Sequence, residues 1–236
     1  MKKLLFVALV ALISVGAMGQ KTANEIIERY NQVTGLSKAD FSIGSMMMDV
    51  SLSSPQGKIP MQVIKAEGAK YRIEASMMGQ EMLAVANGQK GWIKVAGQPV
   101  QAMPKEAIDQ MASQGDMTGS LKLDDKLFEF VLTGSEGGNY ILLGTPRPGA
   151  NTLGVTELVA HFSEKTGLMT RSISKLDVKG QKITVDVKLS GHKDFGGLTL
   201  PATMEVATTG TPPMVLTVND FKLNYPTAAW MFVEPK

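Results

Sequence analysis

Two periodicities divide this chain. Between Thr22 and Val33 apolar side chains recur at helical spacing, with Ile26, Ile27, Tyr30 and Val33 on one face. Thr22 and Glu25 have the spacing of a capping box and Gly35 supplies a C-terminal stop, so a helix is predicted over 22–33. Beyond it the period falls to two. Met46, Met48, Val50 and Leu52 alternate with Met47, Asp49, Ser51 and Ser53, and the turn Ser54-Pro55-Gln56-Gly57 leads to Ile59, Met61 and Val63. Tyr71, Ile73, Ala75 and Met77 alternate with Lys70, Arg72, Glu74 and Ser76. Asn87-Gly88 then marks a hairpin between strands at 81–86 and 91–95.

One helical pattern interrupts the strands. Pro104 stands where a first helical residue would, and Ala107, Ile108, Met111 and Ala112 form an apolar stripe before Gly115, which predicts a short helix over 104–114. Alternation resumes at about 127–133, 139–144, 155–163, 168–176, 182–190, 198–208 and 214–224, most cleanly where Ile183, Val185, Val187 and Leu189 face away from Thr184, Asp186, Lys188 and Ser190. No composition shift or fixed-period repeat divides the chain. The predicted fold is mainly β with few helices. About a dozen strands form a single large antiparallel sheet, because so many strands must curl or close. The economical form is a half-open, incomplete β-barrel, with the N-terminal helix and the short inserted helix covering its concave face.

The first residues fall outside that pattern. Lys2 and Lys3 precede an apolar run from Leu4 to Val15, and Ala17-Met18-Gly19 supplies small residues before a cut, so 1–19 reads as a secretory signal peptide and 20–236 as one domain. Removing the two lysines leaves equal numbers of basic and acidic side chains, which argues against nucleic acid or an anionic membrane surface as the main partner. The chain has no cysteine, so the exported fold rests on its hydrophobic core and has no lipobox for lipidation. A soluble periplasmic protein without stable membrane insertion is expected.

Catalytic chemistry finds little support. With no cysteine and no G-x-S-x-G elbow, a hydrolase would depend on His161, on a strand, or His192, in a turn. Asp124-Asp125 is the densest acidic pair and reads as solvated, and GSEGGN at 134–139 reads as a hairpin turn, not a phosphate loop. No enzyme activity, no cofactor and no metal site are expected. A binding role rests on the apolar faces. Of the sixteen methionines, those from Met46 to Met117 crowd the first half, and such flexible side chains suit either an ordinary core or a cavity that repacks around acyl chains. Met46, Met48, Val50, Met61, Val63, Tyr71, Ile73, Met82 and Trp92 are the candidate cavity residues. Trp230, in the tail, reads as a plug.

Four stretches, TANEIIERYNQVTG (22–35), AKYRIEASMMGQEMLAVANGQKGWIKV (69–95), KDFGGLTLPATMEV (193–206) and YPTAAWMFVEPK (225–236), resemble the outer-membrane lipoprotein-sorting, LolA-like family. The resemblance implies an incomplete barrel around a hydrophobic cavity for acyl chains. It gives the inserted helix, through Ala107, Ile108 and Met111, a lid-like role. The stretch KAEGAKY (65–71) lacks the family's Arg-Pro pair, so its gating arrangement is not implied and the chain reads as a divergent member. The expected function is a lipid or lipoprotein carrier or chaperone delivering acyl chains toward the outer membrane, with an envelope protein as a possible loading or delivery partner. The alternative is a non-catalytic envelope protein using the barrel as a scaffold for protein–protein binding, its exposed patch marked by Met47 and Met78.

Overall fold

The computed structural model describes residues 21–39, 44–55, 57–105, 107–108, 123, 126–150, 152, 154–178 and 180–235. The proposed signal peptide, Asp124-Asp125 and Met111 lie outside them. Helix α1 (Ala23–Val33) forms where expected, and both halves of the capping box are made: the Glu25 amide donates to the Thr22 hydroxyl at 3.2 Å, and the Thr22 amide donates to the Glu25 carboxylate at 2.7 Å. Gly35 ends the helix at φ +78°, in close contact with the backbone of Gly197, so any side chain there would collide with that carbonyl oxygen.

The first run of strands is β1 (Ser45–Ser54), β2 (Gly57–Ala66), β3 (Lys70–Met77), β4 (Gln80–Asn87), β5 (Gly91–Val95) and β6 (Gln101–Ala102). A second comprises β7 (Phe128–Glu136), β8 (Asn139–Pro146), β9 (Val155–Ser163), β10 (Met169–Val178) and β11 (Gln181–Ser190). The chain closes with β12 (Lys193–Asp194), β13 (Thr199–Leu200), β14 (Thr203–Thr208), β15 (Met214–Leu223) and a 3-10 turn, Ala229–Phe232. Thirteen strands make one sheet in the order β6-β5-β4-β3-β2-β1-β15-β14-β11-β10-β9-β8-β7, every pair antiparallel. The sheet is not closed: β6 and β7 are its two edges.

The strand expected over 198–208 is split in two. Pro201 has no N–H for a ladder, and at Ala202 the carbonyl instead accepts from the Val218 amide at 2.8 Å, so β13 leaves the main sheet and pairs with β12. That small hairpin closes against the end of α1, where the Thr199 amide donates to the Thr34 carbonyl at 3.0 Å.

Register fixes the two faces. Met46, Met48 and Val50 share one face with Met61, Val63, Val218 and Phe221, and on this concave side α1 seats Ile26 and Tyr30 among Leu142, Ala160 and Phe162. The Tyr30 ring meets Phe162 edge-on at 5.4 Å between centres. Arg29 ties the helix down, donating to the Glu164 and Lys165 carbonyls at 2.9 and 2.8 Å. On the convex side of β9, β10, β11 and β14 opposite charges meet across strands: Lys175 directly opposite Glu157 at 2.7 Å, Lys188 opposite Glu205 at 3.9 Å, and Arg171 diagonally with both oxygens of Asp186. The Arg171 guanidinium holds the Asp186 carboxyl below the usual carboxylate range.

The convex side of β1 to β5 carries an apolar patch among polar positions such as Asp49, Gln62, Glu74 and Lys94, and the C-terminal tail covers that patch. Phe232, only 4 % exposed, packs with Met47, Ile64 and Val85, joined by Trp92, Leu83 and Tyr225. The Ser45 hydroxyl donates to the Tyr225 carbonyl at 2.8 Å, and Arg72 donates to the Met231 carbonyl at 3.2 Å. Two expectations change here. Phe232 is the plug, while Trp230 is 64 % exposed with its ring 5.9 Å from the Arg72 guanidinium. Met47 is 5 % exposed beneath the tail and marks no exposed patch, because a segment remote in sequence docks on it.

Replacing the fully buried Phe162 by alanine should lower the unfolding free energy by about 3–5 kcal/mol, read from a denaturant midpoint. A loss under about 1 kcal/mol would mean that α1 is not seated on this face. Burial also pushes the Tyr30 phenol up to about 12, above the ordinary tyrosine value of about 10. Above about pH 10 the unfolded chain ionises this group and the folded protein does not, so stability should fall as pH rises toward the folded value. Tyr30→Phe should flatten that alkaline limb in unfolding curves taken across the range.

Candidate functional site

Among the described residues the concave face is only partly filled. Between α1 and the sheet lies a cavity of about 400 Å³, within the ~300–1,000 Å³ common for small-molecule sites. Its floor comes from same-face residues of neighbouring strands: Met46 and Met48 on β1, Val218 and Phe221 on β15, brought to one face by the register shift opposite Asp49 and Val50, Met204 on β14, and Val187 and Leu189 on β11. Tyr30 of α1, Leu123 and Leu200 complete much of the wall, with Met169 and Leu158 on the far side. The wall is therefore built by period-two alternation, which hands every second side chain to the same side of the sheet. Ser172 and Lys65 supply its polar side chains apart from the Tyr30 phenol.

The nine candidate cavity residues divide as follows. Met46 and Met48 line the cavity, and Val50, Met61 and Val63 belong to the apolar cluster on the same face. Tyr71, Ile73 and Met82 lie on this face too, farther toward β4, since Val63 pairs with Ile73, Lys65 with Tyr71 and Ala75 with Met82. Trp92 lies on the other face. It pairs with Val85 and packs in the cluster under Phe232, so it belongs to the convex core and not to the cavity wall. The residues that the sequence reading missed include Tyr30, Met169, Val187, Leu189, Met204, Val218, Phe221 and Lys65. For most of them the signal was present, since Val187 and Leu189 stand in the cleanest alternating run of the chain.

The inserted segment comes over the concave side at the β5 end. The Met103 amide donates to the Gly91 carbonyl at 2.8 Å, and the Ile108 amide to the Pro104 carbonyl at 3.3 Å, which is the first turn of the expected helix. Ile108 is 5 % exposed and Ala107 is half-buried. A β-carbon on Gly91 would stand 2.7 Å from the Met103 sulfur and 3.1 Å from Ile108, so the bare glycine lets this turn settle onto the sheet.

A larger hollow of about 590 Å³ lies beyond the end of α1, where Lys38, Lys222 and Asn224 stand around it. That setting is more polar than the cavity under α1 and matches an acyl chain less well. The two histidines take no part in either. His161 sits on the convex side opposite Arg171, and burial followed by the Arg171 charge pulls its pKa down. Burial pulls His192 down as well, against an opposing backbone hydrogen bond involving Met169. Among the described residues no group of three or more His, Asp or Glu side chains is placed to hold a metal ion, and no helix is long and apolar enough to cross a membrane.

Against known proteins, no protein-family model matches the sequence, and no curated protein matches it. Solved structures do match. A LolA superfamily protein from Nitrosomonas europaea superposes with a TM-score of 0.54 at 15 % identity, over 91 % of this chain and 99 % of that one. A DUF1329 family protein from Desulfovibrio piger gives 0.55 at 15 % identity, over 89 % and 95 % of the two chains. A putative outer membrane lipoprotein-sorting protein domain from Vibrio parahaemolyticus gives 0.50 at 14 % identity, over 87 % and 97 %. At these identities the likeness is one of architecture, and it extends over nearly the whole of each partner. The four sequence stretches and the thirteen-stranded open sheet thus point the same way: this chain has the LolA-like fold, in a divergent form.

Proposed function

We propose that this chain is a periplasmic carrier that holds the acyl chains of a lipid or lipoprotein against its concave face and conveys them toward the outer membrane. In this reading residues 1–19 are the export signal and 20–236 the carrier domain. The observation that supports it is the apolar cavity under α1, walled by Met46, Met48, Met169, Met204 and Leu189. Each methylene buried there stabilises the complex by about 0.8 kcal/mol, so a chain can be held largely by area. Thioether side chains adjust to chains of different shape at small energetic cost. The role is one of binding, with no bond made or broken. The inserted turn at Ala107 and Ile108 is the lid, and Met46, Met48, Val50, Met61, Val63, Tyr71, Ile73 and Met82 form the bed on which the chains lie. An envelope protein would load or unload it.

A second reading, a scaffold that binds a protein partner, has in its favour Met77 and Met78, which are 50 % and 87 % exposed at the β3–β4 turn.

Native mass spectrometry of the purified mature protein mixed with a diacyl phospholipid separates the two. A carrier should show a one-to-one lipid adduct, and Leu189→Trp, which fills the cavity, should weaken uptake about tenfold. Protein that takes up neither the phospholipid nor a fluorescent apolar probe is not a carrier.

A further inference from the structure

The alternation along β2 has one defect. Ile59, Met61 and Val63 occupy its concave side, and the next residue on that side is Lys65, one position from the strand's end. Across the strand pairs it stands opposite Met46 on β1 and Tyr71 on β3, and it lines the cavity beside Met46, Met48 and Tyr30. Among the described lining residues it carries the one formal charge.

Its neighbour is unusual in a second way. Tyr71 is 3 % exposed, yet its hydroxyl is a buried polar group with no hydrogen-bond partner. Buried hydroxyls are normally satisfied, and one that is not marks a place where another polar group would be stabilised. The Lys65 ammonium lies over the Tyr71 ring, 5.5 Å from its centre, so a charged donor stands on the same residue whose hydroxyl is unsatisfied. Burial pushes the Lys65 ammonium down and the Tyr71 phenol up, as expected for groups held out of water. In such surroundings an anion is held more strongly than it would be in bulk solvent.

We propose that Lys65 and Tyr71 form an anion-binding end to the cavity, which takes the carboxylate or phosphate head of an acyl lipid whose chain runs over Met46 and Met48. The inference rests on the carrier reading and narrows it, from acyl chains in general to amphiphiles with an anionic head. The ammonium and the phenol both donate, and a carboxylate or phosphate offers oxygens enough to accept from both. The position near the end of β2 puts the head toward one end of the strands and leaves the apolar wall to the tail. A neutral alcohol or ester of the same chain length fits the wall equally well but forms the weaker, uncharged hydrogen bonds at Lys65.

Dissociation constants at neutral pH for oleate, oleoyl lysophosphatidate and oleyl alcohol test this directly. The wild-type protein should bind at least one of the anionic ligands about tenfold tighter than the alcohol, and the tighter of the two identifies the head as carboxylate or phosphate. In Lys65→Met that ratio should collapse to near one, and in Tyr71→Phe, which removes only the hydroxyl, it should fall about threefold. Taking the ratio within each variant makes it insensitive to partial misfolding. Equal binding of all three ligands by the wild type, or a preference that survives Lys65→Met, overturns the anion site and leaves the carrier reading standing. A Tyr71→Phe ratio equal to that of the wild type removes Tyr71 from the site. Binding of none of the three overturns both.

Discussion

Everything in this architecture follows from one mismatch of size. Alternation gives a thirteen-stranded sheet a continuous apolar face, and strands spaced at about 4.8 Å would span roughly 60 Å if laid flat. Among the described residues, the helix that covers that face has eleven residues, a rod about 16 Å long. Curling resolves most of the conflict by bringing strands from opposite halves of the sheet around the same helix. Tyr30 shows the result: it packs on Phe162 of β9 while sharing a cavity with Lys65 of β2. What curling leaves over is the cavity. Among the described residues it is therefore what one short helix leaves uncovered on a curled sheet.

The convex face solves the opposite problem in two ways. From β9 to β14 its outward face carries charged side chains paired across strands, and such exposed pairs add only about 0–1 kcal/mol each. Their effect is to keep that surface wetted. From β1 to β5 the outward face holds an apolar patch of Met47, Ile64, Val85 and Trp92, and the C-terminal tail lies over it with Phe232 at the centre. The tail is held by backbone carbonyls accepting from Ser45 and Arg72, so its position depends on strands at the far end of the sequence.

How much of this was legible depended on whether the information was local. The capping box of α1, the Asn87-Gly88 hairpin and the faces of β1 to β3 could be read from residues a few positions apart. Trp92 could not be assigned so easily, because its neighbour β4 is apolar on both sides: Met82, Ala84 and Ala86 on one, Leu83 and Val85 on the other. With no polar face to orient that strand, alternation leaves the side of Trp92 undetermined, and the deciding contact is with a tail more than a hundred residues away. The placing of Phe232 over Met47 was hidden for the same reason. Pro201 was visible as a residue without a donor, and its break in the strand could have been anticipated. Lys65 was legible too, as a charge in an apolar register, but its meaning required knowing that Tyr71 stands beside it with an unsatisfied hydroxyl.

The methionines take different roles once the faces are known. Met46 and Met48 look into the cavity, Met47 between them is sealed under the tail, and Met78 is exposed in a turn at φ +53°. In the carrier reading only the first kind bears on binding, and there Met169 and Met204 from the second half of the chain join in the cavity wall. Ordering a methionine side chain costs about 1.5–2 kcal/mol of conformational entropy, against about 0.5–1 for leucine. A wall of thioethers around an incompletely filled space can keep part of that freedom while empty and must surrender it when a ligand packs against it. Such a wall favours reversible binding of many shapes over tight binding of one. At the proposed anion site, the fixed charge of Lys65 would compensate by orienting an amphiphile without requiring the wall to be rigid.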